Sequence, residues 1–507
     1  METDKLISDH KFLGRKVIYS SREEIDESTI PSIINGAMKR HLENRAEIEY
    51  LFKYFKGDQP ILKRVKLIRP DVNNRIVINN AYSIVRNANG YFLGEPIQYT
   101  AKKAEYSDRI AELNAFMDSE NKSAEDMEIG CDASICGTAY RLVAVDEKED
   151  VDEAPFEIPT LEPQNTFVIY STKVGHKPIL GVTYFDALDD DGNKKGTTFT
   201  VYDETCQYVY TVKGSETEIK LKDFVNKAPH FLGSVPIVEY PNNEFRIGDF
   251  EIVLSILNAI NKLHSDRVNS VEQLVNSLLV FVNCDLKSAE QNKQLNKGDV
   301  SDMDSLKENL AISIQSTQGT PAEIKFVNSQ VNQNEAETLA QTLIDYVYAI
   351  SGIPDRKQRS NGGGDTGDAV YLRDGFQSLE IVARVKERNF RKSERTVLRM
   401  VCRIIDKFNN IKLKPMQVDI RFVRNRTNNL QNKSLAAVNL EKTGLFAPED
   451  IIALIGVTET PGEMARRGVD YYKSFSTESS TDEIEKTVKT EQEENTNEKT
   501  EQLETEE

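Results

Sequence analysis

Residues 368–408 carry the longest helical pattern in the chain and read DAVYLRDGFQSLEIVARVKERNFRKSERTVLRMVCRIIDKF. Apolar residues recur there at the three-to-four spacing of an amphipathic helix, at Phe376, Leu379, Ala383, Phe390, Val397, Val401, Ile404 and Phe408. About forty residues at about 1.5 Å each predict a helix about 60 Å long. Such a helix exceeds the width of a small domain, so we expect it to cross several structural layers or to pack against other chains.

Two further long helices are predicted ahead of this one, over residues 249–278 and 332–353. Helical spacing is carried in the first by Phe250, Val253, Leu257, Ile260, Val268, Val271, Leu274 and Leu278, and in the second by Ala336, Leu339, Leu343, Tyr346, Val347 and Ile350. The roughly fifty residues between them, 279–331, have mixed character. Three long helices are therefore predicted to dominate the second half of the chain.

The first half is predicted to be helical with an inserted β-rich subdomain. Helical patterns cover residues 31–55 and 106–139, whereas over 139–210 the period changes to two. Residues 91–96 are predicted to be extended, because the residue before a proline avoids the helical region. After the long helix, alternation at 418–422 predicts a strand, and a last helical block follows. The predicted fold class is α+β, predominantly helical.

Composition excludes several classes of protein. No stretch approaches the roughly 20 apolar residues of a membrane-spanning helix, and residues 1–5 lack the basic start of a signal peptide. The five cysteines are odd in number and scattered, which argues against a disulfide scaffold; they are Cys131, Cys136, Cys206, Cys284 and Cys402. We therefore expect neither a secreted, nor a membrane-spanning, nor a disulfide-rich protein, and a reducing compartment of synthesis.

The net charge of −18 is concentrated at the C-terminus. Residues 474–507 contain twelve Asp and Glu and three Lys, so half of the excess lies in this segment. The rest of the chain is only mildly acidic and lacks the basic footprint of a general nucleic-acid-binding protein. Any role with DNA must therefore work without tight phosphate binding.

No catalytic centre is recognisable. The glycine-rich run 362–367 lacks the Gly-Lys-Ser/Thr of a P-loop, and the five histidines show no metal-ligand spacing. The acidic run 189–193 lacks the closing glutamate of a calcium loop and predicts a hairpin tip, while Cys131 and Cys136 are expected to be small buried hydrophobes. We expect no enzymatic activity, no cofactor and no metal.

Two groups of basic residues stand out. The long helix carries eight in twenty positions, at Arg384, Lys386, Arg388, Arg391, Lys392, Arg395, Arg399 and Arg403, interleaved with glutamates at spacings that allow pairing, such as Glu387 with Arg391. They form either a stripe that faces DNA or another subunit, or an ordinary solvated face. The loop before this helix contains Arg356, Lys357 and Arg359, followed by Gly362, Gly363 and Gly364; it is either functional or a simple linker.

Four stretches then occur in a recognisable order. They are NRIVINNAYSIV (74–85) with GYFLGEP (90–96), GSVPIVEYPNNE (233–244), ISGIPD (350–355), and the glycine-rich loop that leads into the long helix. Together, from about Ala37 to Arg426, they resemble the portal proteins of tailed double-stranded-DNA bacteriophages, of the type common in long-tailed phages of Gram-positive hosts.

The resemblance implies a ring of identical subunits, usually twelve, with the portal fold of wing, stem, clip and crown. It divides this chain into an N-terminal arm (1–25), a wing with the inserted β-rich subdomain (26–248), two stem helices (249–278 and 332–354) around a clip (279–331), a tunnel loop (355–367), a long spine helix and returning strand of the wing (368–427), a crown (428–475) and an acidic tail (476–507) expected to be disordered.

The resemblance further implies a non-enzymatic DNA channel at one capsid vertex, used in genome packaging, retention and ejection. The implied partners are further copies of the chain, double-stranded DNA, the terminase packaging motor, the major capsid and scaffolding proteins, and a head-completion or adaptor protein. The protein would be assembled in the host cytoplasm and reside in the virion. Arg356, Lys357 and Arg359 would contact the DNA backbone, with Gly362, Gly363 and Gly364 supplying mobility.

The residues themselves suit this interpretation. Two amphipathic helices around a fifty-residue module suit a stem with a distal clip, and apolar stripes too long for one core suit lateral packing in a ring. A mild charge suits a channel through which duplex slides, because each added phosphate contact steepens the salt dependence of binding by about 0.9 in log–log slope. Two alternatives stay open: a packaging ATPase or nuclease subunit, and a capsid or tail structural protein without DNA passage.

Overall fold

The structure is a computed structural model that describes residues 14–478 apart from 23, 68–69, 147–152, 189, 215–217, 276–277, 286, 295–300, 302–303, 305–314, 317–320, 322, 328–332, 355–375, 425–429 and 456–460. The chain divides into two compact units. The first comprises Met1–Lys56, Asn80–Val253 and Tyr348–Glu507, and the second comprises Gly57–Asn79 and Leu254–Val347.

The described helices are α1 (Ile30–Phe55), α2 (Asn80–Leu93), α3 (Ser107–Ser119), α4 (Lys122–Cys136), α5 (Leu254–Val275), α6 (Ala289–Gln294), α7 (Gln333–Ser351), α8 (Phe376–Asn409), α9 (Leu430–Lys442), α10 (Pro448–Ile455) and α11 (Pro461–Glu478). Short 3₁₀ turns cover Pro60–Lys63, Ala104–Tyr106, Leu221–Asp223, Glu251–Val253 and Pro415–Gln417. Pro448 and Pro461 open α10 and α11, where a proline costs no hydrogen bond because the first N–H groups of a helix have no intrahelical partner.

The described strands are β1 (Ile18–Ser20), β2 (Gln98–Ala101), β3 (Thr138–Leu142), β4 (Ala144–Val145), β5 (Phe156–Glu157), β6 (Thr160–Leu161), β7 (Thr166–Ser171), β8 (Pro178–Leu188), β9 (Lys194–Tyr202), β10 (Cys206–Lys213), β11 (Phe224–Pro229), β12 (Ile237–Pro241), β13 (Leu278–Val282), β14 (Cys284–Asp285), β15 (Gln315–Ser316), β16 (Glu323–Val327) and β17 (Val418–Arg421). The described residues are mixed helix and strand, with about half of them in helices, which confirms the predicted mixed fold class.

The largest sheet has six strands in the order β1-β7-β8-β9-β10-β11. Its neighbours are antiparallel except β1, which lies parallel to β7 with Ile18 opposite Ile169. One face of this sheet packs on the N-terminal half of α1 and forms a core that includes Ile34, Phe167 and Tyr210. The strands predicted over 139–210 are present as β3 to β10. Residues of the predicted N-terminal arm contribute β1 to the edge of the six-stranded sheet.

The second core of the first unit surrounds α8. Buried residues of α8, including Phe390, Val397 and Ile404, pack with residues of α2 to α4 and of the short sheets around β3 and β17. The predicted strand at 418–422 is confirmed as β17, which pairs antiparallel with β2 and places Ile420 opposite Tyr99. The long helix therefore lies at the centre of a core built from both halves of the chain.

Residues 91–93 correct one prediction. Tyr91, Phe92 and Leu93 form the last turn of α2 rather than an extended segment. Phe92 and Leu93 are each 4% exposed and belong to the core around α8. Burial of these two side chains on the helix outweighs the preference for an extended backbone before Pro96. The proline restriction acts on Glu95 alone, which lies beyond the helix.

The second unit contains α5, α6, most of α7, the 3₁₀ turn Pro60–Lys63 and two short strand pairings. The predicted helix over 249–278 begins as a 3₁₀ turn and continues as α5 to Val275. Within the region predicted as a separate module between the two helices, β13 pairs with β16 and β14 pairs with β15, both antiparallel. The two predicted helices of this region are thus present, with strand pairs between them in the sequence.

Candidate functional site

The glutamates of α8 point into the first unit. Glu380 and Glu387 are seven residues apart, two helical turns, and therefore share a face. Arg424 lies against both: its Nη1 is 3.1 Å from Oε1 of Glu380, and its Nη2 bonds Oε2 of Glu387. The predicted intrahelical pair between Glu387 and Arg391 is confirmed at 2.5 Å. Both carboxylates are therefore paired with arginines of the same unit.

Glu394, seven residues further along the same face, lies in a fully buried polar cluster. Its Oε1 accepts a 2.6 Å hydrogen bond from the Tyr99 hydroxyl, and its Oε2 accepts a 2.8 Å bond from the Tyr240 hydroxyl. Lys122 Nζ is 3.2 Å from Oε1, and Arg141 Nη1 is 3.5 Å from Oε2. Burial alone would raise the pKa of Glu394, but the charges of Lys122 and Arg141 hold that pKa below its ordinary value.

A second carboxylate balances the charge of this cluster. Asp126 lies 2.6 Å from Lys122 Nζ and 2.8 Å from Arg141 Nη2. Two cations and two anions are therefore enclosed together, which offsets the large cost of burying each one alone. Because these groups come from α4, β3 and α8, the cluster fixes the axial position of α8 against the two other elements. Sequence analysis missed the cluster, for which the only local signal is the four-residue spacing of Lys122 and Asp126.

The face of α8 opposite its apolar core carries four exposed cations. Arg388, Lys392, Arg395 and Arg399 are exposed and fall within an arc of about 60°, over about 16 Å of helix. Among the residues that the structure describes, none of the four has an ion-pair partner. We call these four residues the basic stripe.

The other four basic residues predicted on this helix have internal partners. Lys386 is buried and bonds Asp249 and the hydroxyl of Ser134, Arg403 donates to the carbonyl oxygen of Leu232, and Arg384 and Arg391 pair with the glutamates four residues before them. The eight basic residues thus divide into four that have partners in the first unit, of which only Lys386 is buried and Arg384 and Arg403 are exposed, and the four of the basic stripe.

In the second unit an extended segment is bonded to α5. We call residues 73–79 the strap. Its backbone N–H groups donate to side chains one turn apart on the helix: Asn74 to Oδ1 of Asn269 (2.7 Å), Ile76 to Oγ of Ser265 (2.9 Å) and Ile78 to Oδ1 of Asn261 (2.8 Å). The three helix side chains are at most 2% exposed. Alternate strap residues therefore match every fourth helix residue, and side chains replace the neighbouring strand that an extended segment normally needs.

Both long helices of the second unit also present apolar side chains to solvent. Val268 and Val271 of α5 are 41% and 51% exposed, and Leu339 and Tyr346 of α7 are 52% and 55% exposed. The described residues leave about half of each of these side chains uncovered. Contiguous exposed apolar residues on a long helix indicate a surface that packs against another molecule.

The predicted DNA-contacting residues lie outside the described part of the chain. Arg356, Lys357, Arg359 and the three glycines Gly362, Gly363 and Gly364 all fall within 355–375. On either side, α7 ends at Ser351 and α8 begins at Phe376. The loop and its roles therefore stay predictions.

The described residues also bear on the other candidate chemistries. They contain no group of three or more His, Cys, Asp or Glu arranged to hold a metal ion, and none of their helices is long and apolar enough to cross a bilayer. Burial raises the pKa of the Cys131 thiol to about 11, with further contributions from Asp132 and Glu128. Cys136 is buried, as predicted, and bonds the carbonyl oxygen of Thr138. A thiol with a raised pKa is a poor nucleophile at neutral pH.

Comparisons with known proteins point in one direction. A family model described as phage portal protein, SPP1 Gp6-like, matches residues 37–497. The portal protein of Bacillus phage SPP1 is 21% identical over 377 residues, which cover 72% of this chain and 69% of the relative. A solved structure described as the neck of an empty GTA particle computed with C6 symmetry aligns with a TM-score of 0.38 and 13% identity, over 74% of this chain and 90% of that one. A TM-score this low does not establish a shared fold.

Proposed function

The chain belongs to the phage portal protein family of the SPP1 Gp6-like type, and from that membership we propose that its copies assemble into a closed ring with a channel for double-stranded DNA. The ring would contain about twelve subunits, as the family resemblance implies, and would stand at one vertex of the capsid. Through it the genome would enter during packaging, be retained, and leave during ejection.

The exposed apolar faces of α5 and α7 carry the proposal of a ring. Burying a Val, Leu or aromatic side chain is worth about 1.5–3 kcal/mol. In a closed ring the same contact recurs at every subunit boundary, so a modest gain per side chain is multiplied around the ring. The four exposed residues Val268, Val271, Leu339 and Tyr346 then find cover on the neighbouring subunit.

The basic loop supports the proposal of a DNA channel. The loop has three cations, and three glycines follow within five residues. Glycine allows many backbone conformations, so such a segment suits transient contacts between its cations and phosphates. Repeated around a ring, Arg356, Lys357 and Arg359 would surround the duplex with weak contacts, which steady it without preventing movement. Changing all three to alanine should reduce packaged DNA while rings stay intact.

The remaining partners belong to the same proposal. The packaging motor would dock on the strand pairs between α5 and α7, and the capsid, scaffolding and head-completion proteins would contact other outer surfaces of the ring. The structure contains the strand pairs β13–β16 and β14–β15 in that region. Binding of purified terminase to the ring, and loss of that binding after changes at exposed positions there, would test this docking.

The mass of the native assembly tests the ring most directly. The unchanged protein should give one large closed oligomer, and images should show a central hole wide enough for duplex about 20 Å across. Val271→Asp combined with Leu339→Asp should yield smaller species, because charge at both positions opposes burial. Val174→Asp is the matched control: Val174 is also apolar and fully exposed, at the turn between β7 and β8, and its change should leave the oligomer intact. A monomer at every concentration would refute the proposal.

A further inference from the structure

The basic stripe is a row of charge that the described chain leaves without a counterpart. The three glutamates of α8 follow one another at intervals of two helical turns. Each of them pairs with an arginine or a lysine of the first unit; they are Glu380, Glu387 and Glu394. The exposed face therefore keeps only cations from Arg388 to Arg399. Such a row attracts an extended polyanion more strongly than a compact one, because its four charges lie along a line.

The spacing of the row suits an extended peptide. Successive stripe residues are three or four positions apart, a rise of about 4.5–6 Å along the helix, and alternate residues of an extended chain are about 6.6 Å apart. The strap shows that this match works in the same protein, since residues 74, 76 and 78 bond helix positions 269, 265 and 261. The strap bonds through backbone N–H groups, and alternate carboxylates on an extended segment have the same spacing along the helix.

The chain contains a segment of the required composition. The first three residues of the predicted tail, 476–478, belong to α11, and the name acidic tail is kept from here on for residues 479–507. These hold eleven acidic and three basic side chains, a net of eight negative charges. Runs such as Glu491-Gln492-Glu493 place carboxylates two residues apart. The acidic tail follows directly on Glu478 at the end of α11, in the same unit as α8. Its 29 residues span at most about 100 Å when fully extended, several times the length of the stripe.

We propose that the acidic tail, residues 479–507, binds along the basic stripe of α8 at Arg388, Lys392, Arg395 and Arg399, and thereby excludes DNA from this face. The inference goes beyond the proposed channel and does not depend on it, because every copy of the chain carries both segments. The tail acts as a tethered competitor that keeps DNA from adhering to the basic stripe.

Nucleic acid is the competing occupant, and three observations favour the tail. The stripe offers only four cations, too few for tight binding to duplex at physiological salt, where non-specific dissociation constants are typically 10⁻⁴–10⁻⁶ M even for larger basic surfaces. The protein as a whole carries a net charge of −18, which repels DNA. A tethered segment is present at an effective concentration of about millimolar, without the need to diffuse to its site.

Binding of the isolated tail gives the first test. A synthetic peptide with the sequence of residues 479–507 is titrated into the protein truncated after Glu478, at 50 mM and 300 mM salt. We expect saturable binding at low salt that weakens at least about tenfold at high salt. The variant R388Q/K392Q/R395Q/R399Q should lose that binding. The matched control K39Q/R40Q/K53Q/K56Q removes three exposed cations from α1 and a fourth from Lys56, directly after its end, and should keep that binding. Absence of binding, or equal binding by both variants, overturns the proposal.

Competition with DNA gives the second test. A 20-base-pair duplex should bind the truncated protein about tenfold more tightly than the full chain, if the tail leaves the stripe free about a tenth of the time. Replacing the glutamates of the tail by glutamine, at unchanged length, should reproduce the truncation. The stripe variant should show no difference between full and truncated forms. The proposal would be overturned if the full and truncated proteins, both with the unchanged stripe, bound DNA equally well. The tail would then not occupy the basic stripe.

Discussion

The guanidinium Nη1 of Arg141 lies 3.5 Å from Oε2 of Glu394, and neither side chain exposes any of its surface to solvent. Arg141 lies near the end of β3 and Glu394 at the centre of α8, so the pair connects these two elements. With Lys122, Asp126 and two tyrosine hydroxyls it encloses a balanced set of charges inside the first unit. The balance makes the cluster tolerable, and it makes the loss of any single charge expensive.

Changing Glu394 to glutamine should therefore destabilise the protein strongly. Glutamine keeps the size of the side chain but leaves Lys122 and Arg141 with the single carboxylate of Asp126. We expect a loss of about 3–5 kcal/mol in the free energy of unfolding, the usual cost of breaking a buried ion pair. Urea unfolding measures it, with Glu441→Gln on the exposed face of α9 as the control. A loss below about 1 kcal/mol would show that the cluster does not hold α8 in place.

Stability should also depend on Asp132. Burial, and then the charges of Glu128 and Glu162, raise the pKa of this carboxyl from 3.8 to about 7. Between these two values the folded protein binds a proton that the unfolded chain has released. The contribution of Asp132 to the free energy of unfolding is therefore greatest at low pH. It falls by up to about 1.4 kcal/mol per pH unit as pH rises towards 7, and above pH 7 it no longer changes.

Asp132→Asn should remove that dependence. Its unfolding free energy should exceed that of the unchanged protein at pH 8, and the difference should shrink towards pH 5. Urea titrations at both pH values provide the comparison, and Asp190→Asn at the exposed β8–β9 turn is the control. A difference that stays constant between pH 5 and pH 8 would mean that Asp132 titrates at its ordinary value.

His41 should act in the opposite direction. Burial, and then the charge of Arg45, lower its pKa from 6.5 to about 3. The ring stacks on Phe167 with centroids 4.4 Å apart, and its Nε2 lies 2.9 Å from the Tyr184 hydroxyl. The unfolded chain takes up a proton at this residue below pH 6.5 while the folded protein does not. Stability is therefore fully present above pH 6.5 and is lost as pH falls towards 3.

His41→Phe tests this dependence, because phenylalanine preserves a ring against Phe167 and cannot titrate. Between pH 7 and pH 5 the unchanged protein should lose about 2 kcal/mol more than the variant. Urea midpoints at the two pH values measure the loss. Parallel losses in both proteins would show that His41 is accessible to protons in the folded state.

A comparison of two glycines with positive φ distinguishes the cost of backbone strain from the cost of a steric clash. Gly137 ends α4 with φ +87°, and a Cβ there would fall within contact distance of the Arg246 carbonyl oxygen. Gly192 has φ +78° with open space around it. Gly192→Ala should cost about 1 kcal/mol, the penalty for a left-handed conformation. Gly137→Ala should cost at least about 2 kcal/mol more, because the backbone must also move. Equal costs in urea unfolding would indicate that the close approach is easily relieved.

Sequence periodicity predicted most helices and the strands over 139–210 because these signals are local, but it joined α3 and α4 into one helix across Glu120 and the positive-φ Asn121. The apolar stripe that contains Phe390, Val397 and Ile404 is buried in α8, as the spacing predicted. The turn at 91–93 was mispredicted because the core around α8 decides the conformation of Phe92 and Leu93, and that core includes residues some three hundred positions away.

The functional surfaces were predictable only in part. The eight basic residues of α8 were visible in the sequence, but their division into buried partners and a solvent-facing stripe depends on Arg424, Asp249 and Leu232, which no spacing rule connects to them. Likewise, Asn261 and Asn269 are polar residues on a buried helix face, and an apolar pattern cannot reveal that a strap bonds to them. Long-range hydrogen bonds leave no periodic trace in a sequence.

The position of α8 in the chain has a consequence for biosynthesis. The core around this helix begins with Phe92 and closes with Ile420, so residues of α2 leave the ribosome long before their partners exist. At about 5–20 residues per second the interval is roughly 15 to 65 s. During that time Phe92 lacks the rings of Phe390 and Phe422 that contact it in the folded protein, and such uncovered apolar surface is the kind that chaperones bind. The first unit completes its fold only when translation is nearly over.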